Sequence, residues 1–99
     1  MSELKTYDLP QDVFDSIYNL DQKLKFVDEQ YGAQNLTAQQ GIIRFLGNTG
    51  EIENRYKKDL NKFNNVEMEE LFKNLNIVSK ATFNNRKTII RKYFEWSFS

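Results

Sequence analysis

Neither histidine nor cysteine occurs among these 99 residues. The lack of cysteine rules out disulfides and thiolate chemistry, and it fits a reducing cytoplasm. The lack of histidine removes the usual general base and the commonest metal ligand. Proline occurs once, at Pro10, and glycine four times. That is too little turn chemistry for a β-sandwich, and the scattered glycines build no phosphate-cradling loop. No apolar run approaches the width of a bilayer, and the opening "MSELKTYDLP" is too polar for a signal peptide. These absences predict a cytoplasmic chain with no cofactor, no metal, no membrane and no small-molecule substrate. They argue against an enzyme made of this chain alone.

Aromatics are what the sequence has in quantity: eight Phe, five Tyr and Trp96. Such a chain can bury a modest core and is not disordered. Its length fits one domain, 1–99. The apolar spacing is helical throughout, with no convincing strand, and predicts an all-α bundle of four to five helices. Pro10 can open a first helix over roughly 11–30, kinked near Asn19–Asp21, carrying Val13, Ile17, Leu20, Leu24 and Val27 and stopping at Gly32. Thr37 can cap a short helix of about 38–47. "GNTGE" then reads as a break, with Asn48 or Thr49 capping a helix that carries Ile52, Tyr56, Leu60 and Phe63. Asn65 caps a further helix, whose Glu67, Glu69 and Glu70 suit a positive helix N-terminus better than a carboxylate site. "NIVS" is a turn, with Ile77 and Val78 packing beneath the last helix as a staple. Ser79 or Lys80 opens that helix, and Phe83, Ile89, Ile90, Tyr93, Phe94 and Trp96 form its buried stripe.

The net charge is zero, but it is unevenly placed. Residues 1–50 carry four basic and seven acidic side chains, and residues 51–99 carry ten and seven. From Leu71 to Phe94 there are six basic residues and no acid. On the last helix Lys80, Lys87 and Arg91 fall opposite the apolar stripe, with Arg86 at its boundary. Acids that would pair with them at i+4 are missing. From charge alone a solvated polar face is the plainer reading. The other is a helix laid on duplex DNA, with Lys and Arg on phosphates and Thr, Asn or Arg reaching bases. Asn84 and Asn85 weaken the helix without a packing reason and fit surface positions.

The second half carries an ordered set of landmarks: Tyr56, Lys58, Asp59, Leu60 and Phe63; then Glu70, Leu71 and Leu75; then Ser79, Thr82, Ile89, Ile90, Tyr93 and Trp96. Over residues 52–98 this pattern resembles the N-terminal core-binding domain of phage-type integrases, the tyrosine recombinases. The resemblance implies a SAM-like helical bundle that forms half of a C-shaped clamp on double-stranded DNA in site-specific recombination and also touches other integrase protomers. It carries DNA contacts onto Lys80, Thr82, Arg86 and Lys87 of the last helix, to which the basic face adds Arg91, and, more weakly, onto Arg55, Lys58 and Lys62. Residues 1–50 match the pattern poorly and read as a divergent helical part. The catalytic domain is absent, no Tyr here is a nucleophile, and the resemblance implies a fragment of a longer integrase. Two other readings stand beside it. One is a helical protein–protein module docking through Tyr7, Phe26, Tyr31 or Phe98. The other is a small helix-turn-helix regulator built on helices 66–75 and 80–96.

Overall fold

The computed structural model describes residues 7–98. The first six residues, which include most of the polar start read above against a signal peptide, lie outside the described residues, as does Ser99. Five helices and one 3-10 turn follow in order: α1 Gln11–Ser16, α2 Leu20–Tyr31, α3 Leu36–Tyr56, the turn Leu60–Lys62, α4 Asn65–Leu75 and α5 Lys80–Phe98. No strand occurs among the described residues, so the all-α class is as expected. No described helix is long and apolar enough to cross a membrane.

The long helix α3 organises the rest. At 21 residues it runs about 30 Å, and α1, α2 and α4 all pack on it. The sequence reading split this helix at "GNTGE", and the structure corrects it. Gly47 and Gly50 lie three residues apart, so they share a face of one continuous helix, and α1 crosses against them. A Cβ on Gly47 would sit 3.2 Å from the Val13 carbonyl oxygen. One on Gly50 would drive into the Ser16 carbonyl, 2.8 Å from its carbon and 3.1 Å from Ile17 Cα. The glycines are therefore a close-packing notch, not a stop. Thr49 caps nothing: it is buried, and its single hydroxyl hydrogen is shared between the Leu46 carbonyl at 3.0 Å and Glu53 at 2.9 Å. The true cap of α3 is Asn35, not Thr37; its side chain accepts from Ala38 N–H at 2.8 Å.

Other boundaries shift for similar local reasons. The expected kink near Asn19 is a full break, because Asn19 takes the left-handed conformation at φ 56°, which Asn tolerates better than most residues. The predicted stripe Ile52, Tyr56, Leu60, Phe63 does not lie on one helix. Lys57 turns left-handed at φ 56°, and the chain re-enters the core through the 3-10 turn. Leu60 and Phe63 are still buried. Helix α4 is capped one residue earlier than expected, by Asn64 in a reciprocal capping box with Glu67. Val78 is no staple; it stands 95% exposed, while Ile77 is half-buried.

The buried set runs through α2, α3, the 3-10 turn, α4 and α5: Phe26, Val27, Ile43, Leu46, Leu60, Leu71, Ile89, Ile90 and Tyr93. Aromatic rings meet edge to face at its centre, with Phe26 5.1 Å from Tyr93 and 5.7 Å from Tyr31. On α5 only Ile89, Ile90 and Tyr93 are buried. Phe83, Phe94 and Trp96, expected in the stripe, are half-buried at its edges.

Candidate nucleic-acid interface

The position of α5 is fixed by a polar cluster that sequence reasoning missed. Lys23 and Glu53 are both 0% exposed. The Lys23 ammonium reaches Glu53 Oε2 at 2.7 Å, Asp59 Oδ1 at 2.8 Å and the Tyr18 carbonyl at 2.9 Å, one acceptor for each of its three hydrogens. It also lies 4.9 Å from the centre of the Tyr93 ring. Glu53 accepts in addition from Thr49 at 2.9 Å and from Leu60 N–H at 2.7 Å. The Tyr93 hydroxyl donates to Asp59 Oδ2 at 2.7 Å and accepts from Gln22 at 2.7 Å. The cluster thus ties α2, α3 and the Asp59–Leu60 segment to the second half of α5.

Burial pushes the Glu53 carboxyl above its usual range, against the pull of Lys23. Asp59 is also penalised by burial, but hydrogen bonds from Lys23 and Tyr93 outweigh that and hold it below its usual range. Burial and the neighbouring Asp59 push the Tyr93 hydroxyl well above the ordinary tyrosine value. Each partner is hydrogen-bonded, the condition under which buried charge is tolerated. Asp59, Leu60 and Tyr93 were already landmarks of the family resemblance. Lys23 carried no signal, since a lysine at an apolar position of a helix reads as a solvated one.

The first half of α5 has no fully buried residue, and most of the DNA-contact residues expected from sequence are there. Lys80, Thr82 and Lys87 are exposed, as is Arg91 one turn further on. None of the three cations among them makes an ion pair with a described residue. Lys87 leans over the Phe83 ring at 5.4 Å. Arg86 is half-buried and held: its guanidinium lies 5.0 Å from the centre of the Phe45 ring of α3, and it donates to Asn85 Oδ1 at 3.3 Å. Cation–π contact of this kind orients a guanidinium while leaving its charge unneutralised. Ser79 starts the helix, accepting from Thr82 N–H at 3.4 Å. Lys62 is exposed on the 3-10 turn, which packs against α5. Arg55 is exposed near the end of α3. Lys58 is committed elsewhere, in a 2.6 Å ion pair with Glu67.

Two docking aromatics of the protein–protein reading are core residues: Phe26 is fully buried and Tyr31 nearly so, while Phe98 is 64% exposed. No group of His, Cys, Asp and Glu with metal-holding geometry occurs among the described residues.

Among the described residues the all-α bundle presents exposed cations that make no ion pair, and the family model that matches the chain is of the tyrosine-recombinase core-binding type. The chain belongs to the family described as "MrpR, N-terminal core-binding domain", whose model matches residues 17–99. That match reaches further back than the landmarks at 52–98 and takes in α2 and all of α3. A core-binding domain is the non-catalytic, DNA-binding kind of recombinase module. No curated protein and no solved structure matches the chain.

Proposed function

We propose that this chain holds duplex DNA as one non-catalytic half of a clamp, with a separate domain closing on the opposite side of the duplex. The observation that carries the reading is the set of cations on α5: Lys80 and Lys87 in its first half and Arg91 one turn further on are exposed and make no ion pair with a described residue, beside the oriented Arg86. Such cations bind phosphates by releasing counterions, without any excess of charge on the whole chain. Thr82, exposed on the same half-helix, is the candidate for a base-edge contact. Lys62 is a supporting phosphate contact. Lys58 is a weaker one, because binding there would compete with Glu67. In an integrase this half would position a catalytic domain for site-specific recombination. The grip itself is the same whatever chemistry the other half carries.

The test is a salt titration of duplex binding. Affinity should fall log-linearly with salt, with a slope of about −0.9 per phosphate contact. The substitutions Lys87→Glu and Arg91→Glu together should weaken binding for every duplex sequence alike. A chain that binds no duplex at low salt refutes the proposal.

A further inference from the structure

Gly41 has no internal explanation. It sits inside α3, where glycine is the least favourable residue after proline. A Cβ built there meets no atom within 4 Å. Gly47 and Gly50 are small because α1 lies on them; nothing in the fold lies on Gly41. Instead it is exposed on the floor of an open groove between α3 and α5. Ala38 continues that floor. Asn85, Arg86 and Lys92 line the groove from α5, with Tyr31 at its α2 edge. Lys92 lies 5.0 Å from the centre of the Tyr31 ring, as Arg86 does over Phe45. Lys92 is therefore held against an aromatic face of the groove itself, while Arg86, which also lines it, is held by a ring outside it. No Asp or Glu lines it among the described residues. Arg44, exposed three residues beyond Gly41, makes no ion pair with a described residue.

A bare helix backbone flanked by oriented cations, with no acid present, fits a polyanion that approaches the main chain closely. We infer that the α3–α5 groove seats one phosphodiester strand of the duplex, with Gly41 as its floor and Arg86 and Lys92 as phosphate contacts. This rests on the DNA-binding reading and deepens it. The interface is a cleft shared by two helices, and Lys92 and Gly41 join the contact set.

Glycine 41 allows a test in which folding and binding move apart. Gly41→Leu enters open space, so its melting temperature should equal or exceed that of the wild type. Its affinity for duplex DNA should fall by about tenfold or more, a difference a titration resolves easily. Arg86→Gln with Lys92→Gln should reduce the log–log salt slope by about 2, one unit per phosphate contact. Lys80→Gln, Lys87→Gln and Arg91→Gln together serve as the outer-face comparison. If Gly41→Leu and the groove pair bind as wild type while the outer-face triple weakens binding, the groove inference is overturned and the DNA reading stands. A wild-type chain that binds no duplex at low salt overturns both.

Discussion

Lys23→Met is the most informative single substitution in the fold. Methionine matches the length of the lysine stem, so little packing volume is lost. What disappears is the ammonium and its three hydrogen bonds to Glu53, Asp59 and Tyr18. Glu53 keeps Thr49 and Leu60 N–H, and Asp59 keeps Tyr93 and Asn61 N–H. Neither keeps a cation, and Glu53 is fully buried. Removing one partner from a buried ion pair costs about 3–5 kcal/mol. Against a total stability of about 5–15 kcal/mol for a domain of this size, that is a large share. At roughly 4–8 °C per kcal/mol, the melting temperature falls by at least about 12 °C.

The pH dependence sharpens this prediction. In the wild type, Asp59 titrates below its unfolded value of 3.8, so its contribution is present above that value and lost as pH falls through the folded one. Without Lys23 both carboxyls lose the pull that opposes their burial, so each titrates higher than it does in the wild type. Ionising them therefore costs more in the variant, and protonation relieves that cost as pH falls. The gap between variant and wild type should therefore narrow as pH falls from 7 towards 4. Urea unfolding followed by circular dichroism measures it. Adding Glu53→Gln and Asp59→Asn to Lys23→Met should recover part of the loss at pH 7. A cost under about 1 kcal/mol, the range of exposed ion pairs, or a gap independent of pH, would refute the claim that these charges are buried together.

Three further outcomes follow from single residues. Tyr93→Phe removes a hydrogen bond to a charged acceptor and should cost about 1.5–3 kcal/mol at neutral pH. Because the folded Tyr93 hydroxyl titrates above its unfolded value of 10.0, its contribution is complete below that pH and lost as pH rises through the folded value. The variant's stability curve should be flatter above pH 10, as read by chemical unfolding. Gly50→Ala and Gly41→Ala should shift thermal unfolding in opposite directions. The first overpacks against the Ser16 carbonyl and costs about 1–3 kcal/mol or more, while the second gains up to about 1 kcal/mol of helix propensity in open space. Asn64→Ala removes the cap of α4 and should cost about 1 kcal/mol, with a similar loss on Glu67→Ala measured by the same melts.

Helix type was legible in the sequence because the apolar spacing of Ile42, Leu46, Ile89, Ile90 and Tyr93 is set by their burial. What the sequence obscured were the places where a residue's usual meaning is overridden by a neighbour distant in sequence. Gly47 and Gly50 look like a breaker until α1 is laid on them. Leu60 looks like the next turn of a helix until Glu53 reaches across to its N–H at 2.7 Å and fixes a different path. Lys23 looks solvated until Asp59 and Glu53 converge on it. At the candidate interface, periodicity placed Lys80, Lys87 and Arg91 on an exposed face, as they are. It could not show that Arg86 rests on Phe45, 41 positions earlier, or that Lys58 is paired with Glu67. Phe26 and Tyr31 were read as docking aromatics because hydropathy does not say which rings meet other rings.

The buried anchor of α5 and its exposed cations do separate work, and this separation can be measured. The second half is anchored through Ile89, Ile90 and the Tyr93–Asp59–Lys23 network. The first half meets α3 through Arg86 on Phe45 and α4 through Phe83 beside Phe72, and exposed cations stand along both halves. An anchor that only positions a binding surface lowers apparent affinity by the fraction of chain folded, and no further. Tyr93→Phe should therefore leave duplex affinity unchanged at temperatures well below its melting transition, and weaken it near the transition in step with the unfolded fraction. Lys87→Glu with Arg91→Glu should do the reverse, changing affinity at every temperature with little change in melting. Binding isotherms at several temperatures, corrected for the folded fraction from circular dichroism, distinguish the two. If Tyr93→Phe weakens binding when fully folded, α5 has shifted along its axis, and the buried network then sets interface geometry as well as stability.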